Sequence, residues 1–471
     1  MNTATGSATA EIIPSEAWKA LGIGAAGFVL VGFNSTATNI AFGDIAASFS
    51  EVPETTVQFV SSGYFIGTAA FLPLAGRIAD RRGRALVFKI GVGLFALSAV
   101  LSALAPTVWM LIGARALQSL AGALIIPASL SMALPLFPAS RRSTAVAAWA
   151  ASGPLSAAVA PSLSAGVLEV SSWRWLYLLT APAALVILTI GIRRLAEATP
   201  PADEGRLDVL GAALGTAGIA LLVFAVGKGG DWGWRSVPIV GCFSAAVAFT
   251  AAFVAQSHRH PRPMIDFSLF RVQPVWMTNL ANSFMSVCSL SIWLVWPLYL
   301  GRVWGYSSLQ VGLGLTAGPV VAGSMTLVGG RVAERFGHRI PIQVGSLVMV
   351  AAVAWCWLVL DAEGRYLTSF LPGIVMFGFG WGFSSPTMNG FALEAVPEAS
   401  WGTMNAAFNM FRNVAGAVGV AAAVAFVGAD DRIDLVEAFD RAWLFLFVTT
   451  LIGATTTIVF YPRSSRSSRS L

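Results

Sequence analysis

The chain reads as an all-α polytopic membrane protein: two six-helix halves with two further helices inserted between them, fourteen transmembrane helices in all. Three observations carry that reading. Of 471 residues, 56% are apolar and only 11% charged, a balance that excludes an ordinary soluble protein. The apolar residues form runs of about 20, each long enough to cross a hydrocarbon layer of roughly 30 Å as a helix. These runs are continuous rather than alternating, and rich in Ala, Leu and Gly, which argues against strands. Finally, the stretch GRIADRRGR, Gly76 to Arg84, returns as GRVAERFGHR, Gly330 to Arg339. Each copy follows one apolar run and precedes another, which marks an internal repeat. The two copies lie 254 residues apart. Six spans with their loops need about 200 residues and two more add about 50, so the spacing fits an insertion between the halves.

In order, residues 1–16 read as a polar cytoplasmic tail and 17–195 as the first six-helix half. Its spans run roughly from 18, 55, 86, 108, 143 and 175, the second ending at the Gly76 stretch, the third near 105 and the fourth near 131. No small-residue cleavage site follows the first run, so it reads as a retained span. Pro154 and Pro161 interrupt the fifth span among small residues that permit close helix contact. Trp173 and Trp175 mark a membrane interface. A polar linker leads to the insertion, 208–257, whose two spans are joined by KGGDWGW, read as a short loop. The second half occupies 272–461, and 462–471 is a basic tail. Cys242, Cys288 and Cys356 lie singly in separate spans with no metal spacing.

Charge fixes the expected orientation. With the Gly76 stretch in the cytoplasm, 20 of the 29 Lys and Arg fall on the cytoplasmic side and 7 outside, leaving Arg115 and Arg412 within spans. That excess places both termini in the cytoplasm. The net charge of +6 forms no basic nucleic-acid surface, and no nucleic-acid partner is expected.

Polar side chains inside spans are the candidate site, because in lipid they turn inward. The first span offers Asn34 and Asn39, the ninth Asn279 and Asn282 one turn apart, and the thirteenth Asn405, Asn409 and Asn413 at spacing four beside Arg412. These amides either line a cavity between the halves or act as interhelical hydrogen-bond glue. Arg115 in the fourth span, near Gln118, Ser119 and Gly122, either turns inward or snorkels to the interface. In the Gly76 stretch, Gly76 and Gly83 allow tight turns, and Asp80 can cap a helix and pair with an Arg, which makes the loop a candidate latch.

Together these residues resemble the fourteen-span drug:proton antiporter branch of the major facilitator superfamily, over nearly the whole chain. The family's loop motif appears as Gly76, Asp80, Arg81, Gly83 and Arg84, and its fourth-span motif as Arg115 and Gln118, with Ser119 where Gly is usual. The fifth-span antiporter motif appears as Ala160 and Pro161, then Ser164 and Ala165. The thirteenth-span pattern appears as Asn409, Arg412, Gly416 and Gly419. The resemblance implies the major-facilitator fold, a cavity between the halves near the midplane, and coupling or gating roles for Arg115, the loop motif, Pro154 and Pro161. One departure matters: the first-span Asp of the family is Asn34 here. No acid lies near the middle of any span, and His258, His260 and His338 are all at the cytoplasmic side. A proton path normally needs a group with a shiftable pKa.

The reading is therefore a plasma-membrane secondary exporter of small amphipathic compounds, working by alternating access, proton-coupled and self-sufficient as a monomer in the bilayer. No cofactor is expected, and no G-x-x-x-x-G-K-[ST] loop is present for direct ATP drive. The two positive intramembrane charges favour neutral or anionic substrates. The alternatives are an uncoupled or differently coupled facilitator, a non-transporting sensor with the same fold, and a membrane enzyme, which would need a buried nucleophile–base pair or metal cluster.

Overall fold

A computed structural model describes residues 13–138, 145, 148–149, 152–195, 208–261, 263, 265–397, 401–427 and 435–462. Among them every regular element is a helix. The first half contains α1 (Ser15–Ile40), α2 (Phe42–Ser48), α3 (Glu54–Val57), α4 (Phe59–Arg82), α5 (Arg84–Ala103), α6 (Val108–Ser131), α7 (Ser152–Val170) and α8 (Arg174–Arg194). The insertion is α9 (Val209–Trp232) and α10 (Val237–Arg259). The second half contains α11 (Gln273–Arg302), α12 (Ser308–Leu315), α13 (Ala317–Phe336), α14 (Arg339–Val359), α15 (Leu371–Glu394), α16 (Trp401–Val427) and α17 (Leu435–Val459). Arg141 and Arg142, most of the 196–208 linker and the basic tail fall outside the described residues.

Twelve helical stretches among the described residues are long and apolar enough to cross a membrane. The expected second and fifth spans correspond to α4 and α7. The first carries Arg77, Asp80, Arg81 and Arg82 in its last two turns, and the apolar part of the second, Ser156–Val170, is short. Twelve spans are thus plain, and the count of fourteen is an expectation carried forward.

Local chemistry sets several boundaries. Thr107 caps α6 by accepting from Met110 N at 3.3 Å, Asp208 caps α9 by accepting from Gly211 N, and Ser307 with Gln310 forms a capping box at α12. Each satisfies amide groups a helix start leaves orphaned. The Gly76 stretch is not a loop as the sequence suggested. Gly76 lies inside α4, which runs on to Arg82, and the chain turns only at Gly83, with φ at +100°. The repeat behaves alike: α13 continues to Phe336 and turns at Gly337, φ +84°. Ala, Ile and Arg are adequate helix formers, so only the second glycine ends the helix. Asp80 consequently sits in the last turn of a helix rather than at the start of one. KGGDWGW is also misread as a loop, since Lys228 to Trp232 form the last turn of α9.

In the second half α11 is the central helix, with 78% of its apolar stretch buried, against 17% for α10. The insertion sits on the seam between the halves, where α9 packs against α4 and α16 while α10 packs on α9 and faces outward. The bundle has an arginine-rich end, where Gly83 and Gly337 turn, and a far end. At or towards the far end the halves touch: Arg302 pairs with Glu54, Ser162 Oγ meets Thr316 Oγ1 at 2.7 Å, and Glu169 accepts from Leu309 N. Gly312 abuts Pro161 and Ala165 so closely that a Cβ there would overlap both, which makes α7 against α12 a tight seam.

The two motif glycines should therefore respond oppositely. Gly83→Val forces a branched side chain into a backbone region natural only to glycine and should cost about 1–3 kcal/mol. Gly76→Ala meets open space inside a helix and should be neutral or stabilising by roughly 0.5–1 kcal/mol. Thermal unfolding of the two variants in detergent checks this contrast.

Candidate functional site

The first half is built around Arg115. Two turns into α6, its side chain is 1% exposed, so it does not snorkel to an interface. Gly67 on α4 lets Ser119 on α6 come so near that any Cβ at 67 would overlap the Ser119 hydroxyl. That close approach brings Arg115 against α4, where Nε donates to the Val60 carbonyl at 3.1 Å and the guanidinium lies 4.5 Å from the centre of the Tyr64 ring. Nη1 donates to Asn34 Oδ1 on α1 and to Gln118 Oε1 one turn away. Tyr177 on α8 closes the opposite side, its ring centre 5.7 Å from the guanidinium carbon. Its hydroxyl pairs with Thr38 at 3.0 Å, and Thr38 in turn donates to the Asn34 carbonyl. Four helices thus converge on one cation.

Among the described residues no carboxylate pairs with Arg115. The charge is held by neutral acceptors and by aromatic rings, which at buried sites contribute about 1.5–3 kcal/mol per charged hydrogen bond and about 2 kcal/mol per cation–π contact. Nearby polar groups are left without partners, namely the Tyr64 hydroxyl, Gln118 Nε2, both side-chain polar atoms of Gln58, and Ser61 Oγ. Asn39 is buried close by in sequence, 4% exposed.

The second-half amides form separate groups. Asn279 donates to Val275 O at 2.8 Å, and Asn282 accepts from Ser385 at 3.2 Å. Asn279 Oδ1 and Asn282 Nδ2, one turn apart on α11, are buried without partners. On α16, Asn409 and Asn413 each donate back one turn, to the carbonyls of Asn405 and Asn409, and Asn389 donates to Asn405 Oδ1 at 3.0 Å. Arg412 is half-buried with its Nε unpartnered. The structure therefore gathers Asn34 with Arg115 in one half and Asn282 with Ser385 in the other. No described hydrogen bond joins the first-half amides to the second-half amides.

Of the motif residues, Arg84 donates to Ser131 O at 3.0 Å, fastening the start of α5 to the end of α6, where a cation meets the negative end of the helix dipole. Arg81 lies in the last turn of α4. The side chains of Asp80 and Pro154 fall outside the described residues. Pro161 lies inside α7 at the seam with α12.

Three contacts escaped the sequence reading. Glu54 and Arg302 form a bidentate pair between the halves. Lys228 Nζ, only 7% exposed as a residue, donates to Asp231 and to Thr55 at 2.9 Å each, and Thr55 also donates to Asp231. Tyr177 joins the arginine site from an otherwise apolar span. At the far end, Asp44, Glu54, Pro297, Arg302 and Tyr306 line a cleft of about 790 Å³. Asp44 stands just beyond the first span, and burial raises its pKa above the usual carboxyl range.

The sequence profile of the Major Facilitator Superfamily matches residues 24–420. Relatives include the multidrug efflux pump LfrA of Mycolicibacterium smegmatis, 30% identical and covering 87% of this chain and 80% of its own. The lincomycin resistance protein LmrB of Listeria monocytogenes is 25% identical, over 86% of this chain and 85% of its own. The methylenomycin A resistance protein of Streptomyces coelicolor is 27% identical, over 84% and 83%. Among solved structures, a bacterial homologue of the human lysosomal transporter Spinster superposes with a TM-score of 0.69 at 13% identity, over 95% of this chain and 98% of its own. The xylose transporter XylE from E. coli gives 0.66 at 14%, again over 95% and 98%. This chain belongs to the major facilitator superfamily. It is a multi-pass membrane transporter, not an enzyme, and it is related to multidrug and antibiotic efflux pumps.

Asn34→Ala removes one acceptor from a buried cation and should lower stability by about 1.5–3 kcal/mol. Asn39→Ala touches no described partner of Arg115 and should cost less. Paired thermal melts of the purified variants test the assignment, and equal losses would contradict it.

Proposed function

We propose that this chain exports small amphipathic compounds across the plasma membrane by proton antiport. The observation that carries the reading is the similarity to named efflux and resistance proteins over more than four fifths of the chain. The chain works by alternating access as a monomer of fourteen spans, with the arginine-rich end and both termini in the cytoplasm. The bound substrate lies between the halves, with Asn34, Asn39, Asn279, Asn282, Asn405, Asn409 and Arg412 contributing to the wall. The unpartnered atoms of Asn279 and Asn282 support that role, because buried amides with spare hydrogen-bonding capacity can turn to a ligand. A buried guanidinium without a carboxylate favours neutral or anionic substrates over polycations. A second reading, a facilitator with no proton coupling, is favoured by Asn34 standing where the resembling family has an acid.

With no mid-span carboxylate, Asp44 is the acid best placed to carry the proton. The sign follows from its raised pKa. Such a group holds its proton to a higher pH than an ordinary carboxyl and releases it only when the pH rises through that raised value. An acidic far side therefore loads it.

Uptake of neutral, anionic and cationic fluorescent amphiphiles into inverted vesicles with an acidic lumen tests both readings. Antiport predicts uptake of at least one compound that a protonophore abolishes, and Asp44→Asn should remove that gradient dependence. Gradient-insensitive uptake would establish the facilitator instead. The latch role proposed for Gly76, Asp80, Arg81, Gly83 and Arg84 has its own test. Asp80→Asn should reduce uptake while leaving the amount inserted in the membrane unchanged, and normal uptake would discard the latch.

A further inference from the structure

The insertion borders a lateral groove distinct from the far-end cleft. It lies between α9 and α10 on one side and α4 and α16 on the other, with a volume of about 540 Å³. Its walls are almost wholly apolar, including Ile219, Ala246, Phe253, Met410 and Phe411. Of the two hydroxyls that line it, Thr216 already donates to Ala212 O. The interior thus offers little to orient a polar solute, whereas an alkyl chain needs no such group.

Depth and charge identify the occupant. Along α10 the lining runs from Phe243 to Val254, and the helix ends at Arg259. At 1.5 Å per residue the groove lies about 8 to 24 Å below Arg259, from the acyl region of the leaflet at the arginine-rich end to about the bilayer midplane. Its mouth is covered by the short helical turn Phe267–Arg271. Phe267 lines the groove and packs on Phe253 and His258, and Phe270 packs on Phe411. Arg259 and Arg271 are exposed there, and Asp266 caps the same turn. Aromatic rings facing the apolar layer, with cations above them, are what an interfacial segment presents to a lipid headgroup.

We propose that this groove seats an acyl chain of an anionic phospholipid from the leaflet at the arginine-rich end, with its phosphate drawn to the cations at the mouth. The site is independent of the transported substrate. It makes the insertion a lipid-anchored element rather than a bare spacer.

Native mass spectrometry of the full-length protein tests this without any flux measurement. The protein is purified in mild detergent and offered equal amounts of phosphatidylglycerol and phosphatidylcholine with identical acyl chains. The wild type should retain one phosphatidylglycerol preferentially. Arg259→Gln combined with Arg271→Gln, both on the surface, should weaken that preference roughly 30-fold, from the attraction a Lys or Arg near an anionic surface exerts. Gly215→Leu, whose Cβ has ordinary contact with the Phe253 ring, projects into the groove and should abolish retention of either lipid. Three results would overturn the proposal: equal retention of the two lipids by the wild type, undiminished retention by a monodisperse Gly215→Leu variant, or displacement of the lipid by a transported amphiphile. If Gly215→Leu fails to fold, the arginine double variant still decides.

Discussion

Four helices of the first half converge to keep one guanidinium out of water. Moving a bare cation into a low-dielectric interior costs several kcal/mol even after relaxation. Arg115 meets that cost with a backbone carbonyl from α4, amide oxygens from α1 and α6, and two tyrosine rings. Arg115, Asp208 and Lys228 are the charged side chains fully buried among the described residues, and Lys228 has Asp231 against it. Arg115 meets its charge without a described opposite charge. The unpartnered Tyr64 hydroxyl and Gln118 amide show where hydrogen bonds around it can be exchanged.

Among the described residues the second half has no equivalent hub. Arg412 is half-buried, and the amides of α16 spend their donors on carbonyls one turn back. The repeat therefore preserves the helix plan and the turning glycines, Gly83 and Gly337, while the polar interiors have diverged. A charged hub rigidifies one half, since each of its bonds would cost more to break inside the protein than in water. Both halves keep amides with spare capacity, Gln58 and Gln118 in the first and Asn279 and Asn282 in the second.

How much of this the sequence disclosed depends on the kind of interaction. Apolar runs and caps are local, so the limits of α6, expected near 108 and 131, are legible in the sequence. The sequence narrowed Arg115 to two placements, inward or snorkelling, because a charge in a span has few tolerable environments, and the structure takes the first. The partners of Arg115 were not legible, because nothing near Val60 or Tyr177 in sequence announces a contact across 55 or 62 residues of chain. Glycine misled twice. Gly76 and the pair Gly229 and Gly230 looked like turn formers, yet all lie within helices. In the second case a tertiary contact overrides propensity: Lys228 and Asp231 grip Thr55, and that bond holds the last turn of α9 in helical form.

The short α3 turn shows how the pieces must move together. Glu54 reaches Arg302 in the second half, while the next residue, Thr55, reaches Asp231 and Lys228 in the insertion. The two attachments differ in strength. The side chains of Glu54 and Arg302 are about a third exposed, and pairs of that kind contribute only about 0.2–1 kcal/mol. Lys228 is nearly buried and divides its bonds between Thr55 and Asp231, so breaking them strands a charge inside the protein. A rocking motion that opens the far end has to break the Glu54 pair and can leave the Thr55 cluster whole. Under the alternating access proposed above, the insertion would travel with the first half and slide against α16. On that side its groove meets the apolar surfaces of Met410, Phe411 and Val414, where no described hydrogen bond crosses.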